Sequence, residues 1–333
     1  MKAYIKGISY YLPKKELTNE QLASEFPEWT VDKIAEKIGI KKRHIAAENE
    51  TALDMAVAAA DKLFDEYNID KSSIDFVLLC TQSPDYFLPT SACIVQDRLN
   101  LSTNCGTLDF NMGCSGFVYG LSLAKGLLCA GISKNVLLIT TETYSKHLHP
   151  KDKGNRTIFG DAACATLIST DGFAEVLDFS LGTDGRGANN LIVKSGAFRQ
   201  PVKSCKIVYD DSENPISDDY LFMNGSEIFS FTLEAVPQLV KDTLIKNFMK
   251  NEDIDLFVFH QANRYMMDFL RKKIKIEKEK FYYCLENFGN TVSSTIPIAI
   301  KEAVKDCTIK HGDKVLIAGF GVGYSWGGTI LNF

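Results

Sequence analysis

Cysteine, histidine and asparagine are the side chains through which this sequence could do chemistry, and each stands at a turn. Cys114 lies in Asn111-Met112-Gly113-Cys114-Ser115-Gly116-Phe117. Residues 107–110 read as a short buried strand and Gly113 permits a sharp turn. Residues 115–130 are apolar on one side at helical spacing and stop at Gly131. The thiol is therefore expected where a strand end meets a helix N-terminus, whose unpaired N–H groups and dipole favour an anion. Such a position can lower a cysteine pKa from about 8.5 to roughly 7 or below, raising the thiolate fraction at neutral pH. Taken alone, the turn suits a nucleophile and a small buried apolar residue equally.

His260 opens His260-Gln261-Ala262-Asn263 directly after an apolar run, so it is expected at the carboxyl end of a strand, where α/β proteins bind ligands. A hydrogen-bonded core histidine fits the same pattern. Asn290, in Asn287-Phe288-Gly289-Asn290-Thr291, sits in a tight turn before a helix expected near Ser293, and a turn or cap residue would read alike. Gly319-Phe320-Gly321-Val322-Gly323 follows the last buried strand. A dinucleotide fingerprint needs a helix after its glycines, and the residues here are strand-like. A glycine-lined turn whose backbone N–H groups hold an oxyanion suits the run better. His147 and His149 have the spacing of a metal pair, but no third ligand is near in sequence, and a solvated loop is expected.

The elements that must position these residues follow from the apolar pattern of the 333-residue chain. Strands are expected at 3–10, 75–80, 107–110, 135–140 and 162–168, with helices at 51–67, 90–99 and 115–130 between them. The second half repeats the plan. A strand at 174–181 and a long helix at 225–249 are followed by 255–260, 314–318 and 327–331, which parallel 75–80, 135–140 and 163–168. Continuous apolar strands alternating with helices imply sheets buried on both faces. Two similar α/β halves are expected, residues 1–172 carrying the cysteine and 173–333 carrying the histidine and asparagine. The net charge of -5 argues against general nucleic-acid binding. Nine scattered cysteines with no C-x-x-C pair suggest reduced thiols in a cytoplasmic protein. No signal-peptide core and no membrane-length apolar stretch are read.

Cys114 in its NMGCSGF turn, His260 in HQAN, Asn290 in GNT, Phe159-Gly160-Asp161-Ala162-Ala163 and the terminal GFGVGYSWG together resemble 3-oxoacyl-[acyl-carrier-protein] synthase III, the priming condensing enzyme of bacterial fatty-acid synthesis. The resemblance runs from the first strand to Phe333. It implies a thiolase-like fold, two α/β halves related by internal duplication and layered α-β-α-β-α, and a homodimer. It implies that Cys114 takes an acyl group from acyl-CoA. His260 and Asn290 would then donate hydrogen bonds to the thioester oxygen of malonyl-acyl carrier protein as carbon dioxide leaves. The N–H groups of Cys114 and Val322 would form the oxyanion hole, and no metal or other cofactor would be needed. A thiolase would carry a second cysteine near the C-terminal glycines, and an elongating synthase a second histidine at Asn290. A hydroxymethylglutaryl-CoA synthase would have a glutamate where Gln82 stands. Chalcone-type synthases share the three residues but not these surroundings.

Substrate contacts follow from the same resemblance. Trp29 would stack on the CoA adenine, with Lys153, Arg156, Phe159, Gly225 and Asn263 toward CoA and the acyl group. The segment 31–37 is longer than is usual in the family and has lysines only, and Lys153 stands in place of an arginine. Leu88 replaces a phenylalanine that limits the acyl pocket from the neighbouring subunit, which implies branched or longer primers. Arg264, Arg271, Lys272 and Lys273 would dock the acidic carrier protein; a solvated helix face reads alike. The alternative activity is transfer of the acyl group from Cys114 to an oxygen or nitrogen acceptor in secondary metabolism. A non-catalytic scaffold subunit is disfavoured by the three intact residues.

Overall fold

The structure is a computed structural model that describes residues 2–210 and 213–333. Ten strands form its main sheet: β1 Tyr4–Tyr11, β2 Phe76–Cys80, β3 Gly106–Phe110, β4 Asn135–Glu142, β5 Ala162–Ser169, β6 Ala174–Val176, β7 Ser180–Thr183, β8 Leu256–Phe259, β9 Lys314–Gly321 and β10 Ser325–Asn332. The order is β8-β9-β10-β6-β1-β5-β4-β2-β3, with β7 also on β10. One pairing scheme occurs twice. β2 runs parallel to β4, which is antiparallel to β5. β8 runs parallel to β9, which is antiparallel to β10. Even the place of β3 beside β2 has a remnant, a single parallel bridge between Phe257 and Phe281.

The α-helices among the described residues are α1 Asn19–Glu25, α2 Val31–Ile38, α3 Ala52–Tyr67, α4 Ser91–Arg98, α5 Gly116–Cys129, α6 Lys153–Arg156, α7 Gly225–Lys246, α8 Arg264–Ile274 and α9 Thr295–Lys305. Alternation along the strands fixes the layers. Leu78, Val136 and Leu138 on one side, and Val315, Ile317 and Leu331 on the other, close on helices α5 (Gly116–Cys129) and α9 (Thr295–Lys305). Val77, Leu79, Leu137 and Ile139 point the other way, onto α3 (Ala52–Tyr67). Leu316, Ala318 and Phe320 face α7 (Gly225–Lys246) and α8 (Arg264–Ile274). Two central helices thus lie between sheet regions, with helices outside each. Residues 174–181 form two strands rather than one, because Asn247 pulls the chain out between them. Its Oδ1 accepts the Asp178 N–H at 2.9 Å and its Nδ2 donates to the Asp178 carbonyl at 3.0 Å. No helix among the described residues is long and apolar enough to cross a membrane.

Candidate active site

Cys114 sits one residue before the N-cap of α5, in a turn closed by the Gly116 N–H on the Gly113 carbonyl at 2.8 Å. The glycines of β9 let that strand pass across the start of the helix. A Cβ on Gly319 would lie 2.8 Å from the Cys114 carbonyl oxygen, and one on Gly321 would lie 3.2 Å from Cys114 Sγ. The Ser115 hydroxyl donates to Ser325 Oγ at 2.7 Å, which donates to the Val322 carbonyl at 2.8 Å, so the cysteine turn is tied to the Val322 turn. Gly319 and Gly321 therefore belong to the strand, and the turn proper is Val322 to Tyr324.

His260 follows β8 and gives its N–H to Ala318 at 2.8 Å. Asn290 is clamped by its backbone: its N–H donates to Ile158 at 2.9 Å, and its carbonyl accepts the Gly160 N–H at 3.0 Å. The two side chains share a closed circuit. The Val292 N–H donates to Asn290 Oδ1 at 2.9 Å, which turns Asn290 Nδ2 toward His260 Nε2, 3.5 Å away. On the far side of the ring, His260 Nδ1 lies 2.7 Å from Thr295 Oγ1, whose hydroxyl donates to the Val292 carbonyl at 3.0 Å. A nitrogen that faces an amide N–H accepts, and a nitrogen that faces an oxygen whose hydrogen is spent donates. The neutral ring therefore carries its proton on Nδ1 and presents a bare Nε2. It donates from Nε2 only once protonated, which narrows the donor role that the family resemblance implies.

Cys114, His260, Asn290, Phe320 and Gly321 line one cavity of about 190 Å³. Phe159, Gly225 and Asn263, expected at the substrate, line it too, with Tyr144, Ile228 and Met266 supplying an apolar wall. The thiol is not the one expected from helix-end electrostatics. Burial pushes Cys114 up to about 12, the nearby Glu142 carboxylate adds to this, and its own backbone N–H offsets only part. Desolvation of the thiolate outweighs the helix terminus. Burial also pushes His260 down to about 3. Glu142, wholly buried, is raised to about 8 by burial, although the Gln82 N–H and Ser83 hydroxyl donate to it at 2.9 and 2.8 Å.

Other expected residues lie apart from this cavity. Lys153 is ion-paired with Glu28, and Arg156 with Glu25 at 2.6 Å, each at an outer cleft. Trp29 is half-buried with Lys33 over its ring, 5.5 Å from the centroid. Leu88 is 80% exposed and does not touch its own chain's cavity. The basic set divides. Arg264 lies 3.8 Å over the Tyr283 ring and pairs with Asp268 at 3.3 Å, while Arg271 donates to the Ile276 carbonyl at 3.0 Å. Lys272 and Lys273 are exposed. The solvated loop expected around His147 and His149 is instead packed. His149 stands edge-on to Tyr220, and His147 packs on Tyr144, with Nε2 3.3 Å from the Gln82 carbonyl. Among the described residues no group of three or more His, Cys, Asp or Glu is arranged to hold a metal. Thr295, Val292 and Glu142 were not signalled by the sequence.

Comparison with known proteins agrees with this geometry. Residues 108–185 match the family profile of 3-oxoacyl-[acyl-carrier-protein (ACP)] synthase III, and residues 244–333 match the profile of its C-terminal part. A beta-ketoacyl-[acyl-carrier-protein] synthase III of Clostridium perfringens is 36% identical, over 98% of this chain and 98% of its own. A crystal structure of a 3-oxoacyl-(acyl-carrier-protein) synthase III superposes with a TM-score of 0.97 at 49% identity, covering all of both chains. A 3-oxoacyl-(acyl-carrier protein) synthase of Burkholderia xenovorans does so with a TM-score of 0.91 at 36% identity, over 100% of this chain and 94% of the other. With its Cys114 turn, its His260 and Asn290 circuit and its thiolase fold, the chain belongs to the 3-oxoacyl-[acyl-carrier-protein] synthase III family.

Proposed function

We propose that this chain condenses an acyl-CoA primer with malonyl-acyl carrier protein, with loss of carbon dioxide, to give 3-oxoacyl-acyl carrier protein through an acyl-Cys114 intermediate. The observation that carries the reading is the meeting of Cys114, His260 and Asn290 in one apolar cavity. Cys114 takes the acyl group and CoA leaves. Decarboxylation of the malonyl group puts negative charge on its thioester oxygen. Asn290 Nδ2 and protonated His260 Nε2 then stabilise it, a preorganised donor being worth roughly 3–4 kcal/mol in such a setting. The enolate carbon attacks acyl-Cys114, and the N–H groups of Cys114 and Val322 hold the oxyanion that forms. No metal or nicotinamide enters these steps.

The working unit in this reading is a cytoplasmic homodimer built from chains of two duplicated halves, 1–172 and 173–333. Strand β3 is the last of its sheet, its Leu108 is 45% exposed, and Tyr86, Phe87 and Leu88 form an exposed apolar tip nearby in sequence to β2. An open edge and a cluster of exposed aromatic and aliphatic groups are covered most simply by a second copy. Leu88 then reaches the partner's acyl pocket and favours primers longer or more branched than acetyl. Lys272 and Lys273, on the helix whose first turn lines the cavity, offer the acidic carrier protein its contacts. Incubation with a panel of acyl-CoAs and malonyl-carrier protein tests the reading. Free CoA, carbon dioxide and a 3-oxoacyl-carrier product support it. An ester or amide product would make the chain an acyltransferase to an oxygen or nitrogen acceptor, and acetyl-CoA as the sole primer would remove the pocket assignment.

A further inference from the structure

Thr295 lies behind His260, 3% exposed, and closes the circuit that passes through Val292, Asn290 and the imidazole. We propose that Thr295 is a positioning residue that fixes the His260 tautomer, leaving Nε2 bare to take the Cys114 proton during acylation. The proposal rests on the acyl-cysteine reading above.

Two constraints select this arrangement. Were the Thr295 hydroxyl to donate to Nδ1 instead, Nε2 would carry the hydrogen and face Asn290 Nδ2, setting two donors against each other. The Val292 carbonyl would also lose the hydroxyl now 3.0 Å away. Asn290 cannot turn its amide to compensate, because Oδ1 already accepts the Val292 N–H. Val292 itself has φ +54°, a left-handed conformation that is costly for a β-branched residue. Strain of this kind persists where surrounding contacts over-determine it. Here both polar groups of Val292 are used, one on Asn290 and one on Thr295.

The bare nitrogen supplies what the buried thiol lacks. The Cys114 S–H proton passes to Nε2 as the sulfur electron pair bonds to the acyl carbon. The bond from that carbon to the CoA sulfur breaks, and CoA leaves as a thiolate that takes a proton from solvent. The imidazolium now donates from both nitrogens, Nδ1 to Thr295 and Nε2 to the malonyl thioester oxygen. When the enolate carbon displaces the Cys114 sulfur, that sulfur recovers the proton from Nε2. One proton is consumed per turnover, and the enzyme returns to its starting state.

The test uses the full-length protein, as wild type, T295V and T295S, with acetyl-CoA and butyryl-CoA as acyl donors. Intact-mass spectrometry of quenched samples gives the rate of Cys114 acylation. ¹⁵N chemical shifts of labelled histidine give the His260 tautomer. T295V should acylate about 100-fold more slowly, the low end of what a positioned base supplies, and should show a population of the Nε2–H form. T295S keeps the hydroxyl and should restore both. A valine variant with wild-type acylation, or a wild-type His260 already protonated on Nε2 in its neutral form, would overturn the proposal. If T295V fails to fold, the wild-type tautomer and the T295S rate decide it. If wild type forms no acyl-Cys114, the acyl-cysteine reading fails, while the tautomer measurement still judges Thr295.

Discussion

The floor of the cavity and the outer clefts around Lys153 and Arg156, its mouth in the proposed reading, hold their polar groups by different means. At the floor, Asn290 is fixed by two backbone bonds and by its amide on the Val292 N–H, and His260 is held between Asn290 and Thr295. At the mouth, Lys153 and Arg156 are held by Glu28 and Glu25, with the glutamate side chains 48% and 46% exposed. Backbone-anchored buried groups lose little further freedom when a transition state forms, which is what preorganisation requires. Exposed ion pairs contribute about 0–1 kcal/mol and yield readily to a better partner. The chemistry is thus built into the frame, whereas in the proposed reading the phosphates of a CoA would compete with two carboxylates for Lys153 and Arg156.

Changes at the floor should therefore cost far more than changes at the mouth. N290A should lower condensation about 10²- to 10³-fold, the usual loss for one preorganised donor, while Cys114 acylation stays within a few-fold of wild type. Separate assays of the two half-reactions check this. Equal loss in both would move Asn290 from the decarboxylation step to general support of the site.

Glu142 comes next. Its folded pKa, raised to about 8, exceeds that of an exposed carboxylate, so the unfolded chain binds fewer protons between about pH 4.5 and 8. The contribution is complete below the unfolded value and is lost as pH rises through about 8. Asp161, raised to about 6 by burial, adds the same sign over a narrower window. Thermal melts from pH 6 to 8.5 should lose stability on the order of a few kcal/mol. E142Q, neutral throughout and still able to accept the Gln82 N–H, should flatten the slope. An unchanged slope would exonerate Glu142.

G319A should destabilise by about 1–3 kcal/mol, since its Cβ would meet the Cys114 carbonyl and the Ser115 Cα, both backbone atoms, at 2.8 and 2.9 Å. Denaturant melts give the number. The smallest effect belongs to the mouth. E25Q/E28Q should free Arg156 and Lys153 and lower the KM for acyl-CoA a few-fold, in keeping with surface pairs worth under about 1 kcal/mol each, with kcat unchanged. A rise in KM would mean that the glutamates hold the mouth in its binding shape.

The same division explains what could be read in the sequence. Apolar runs of fixed length and phase gave the recurring strands, and Cys114, His260 and Asn290 stood out because each occupies a short junction between regular elements. The state of the thiol was not legible, because a helix end is visible in a pattern and depth of burial is not. The circuit through Thr295 depends on the backbone turn at Val292, which no residue type announces. Arg156 meets a glutamate 131 positions away, and Arg264 finds Tyr283 and Asp268, so neither could be assigned as free. His147 and His149 read as loop residues because the Gln82 carbonyl and the Tyr220 ring they pack against come from elsewhere in the chain.

The most direct test of the account follows one sulfur through both half-reactions. Wild-type protein is mixed with butyryl-CoA alone, quenched and digested, and the peptide containing Cys114 is weighed before and after a chase with malonyl-carrier protein. A butyryl adduct on Cys114 that disappears in the chase, with matching carbon dioxide and 3-oxohexanoyl-carrier protein, is the predicted result. An unmodified Cys114 peptide while product still accumulates, or an adduct that malonyl-carrier protein cannot discharge, would contradict it.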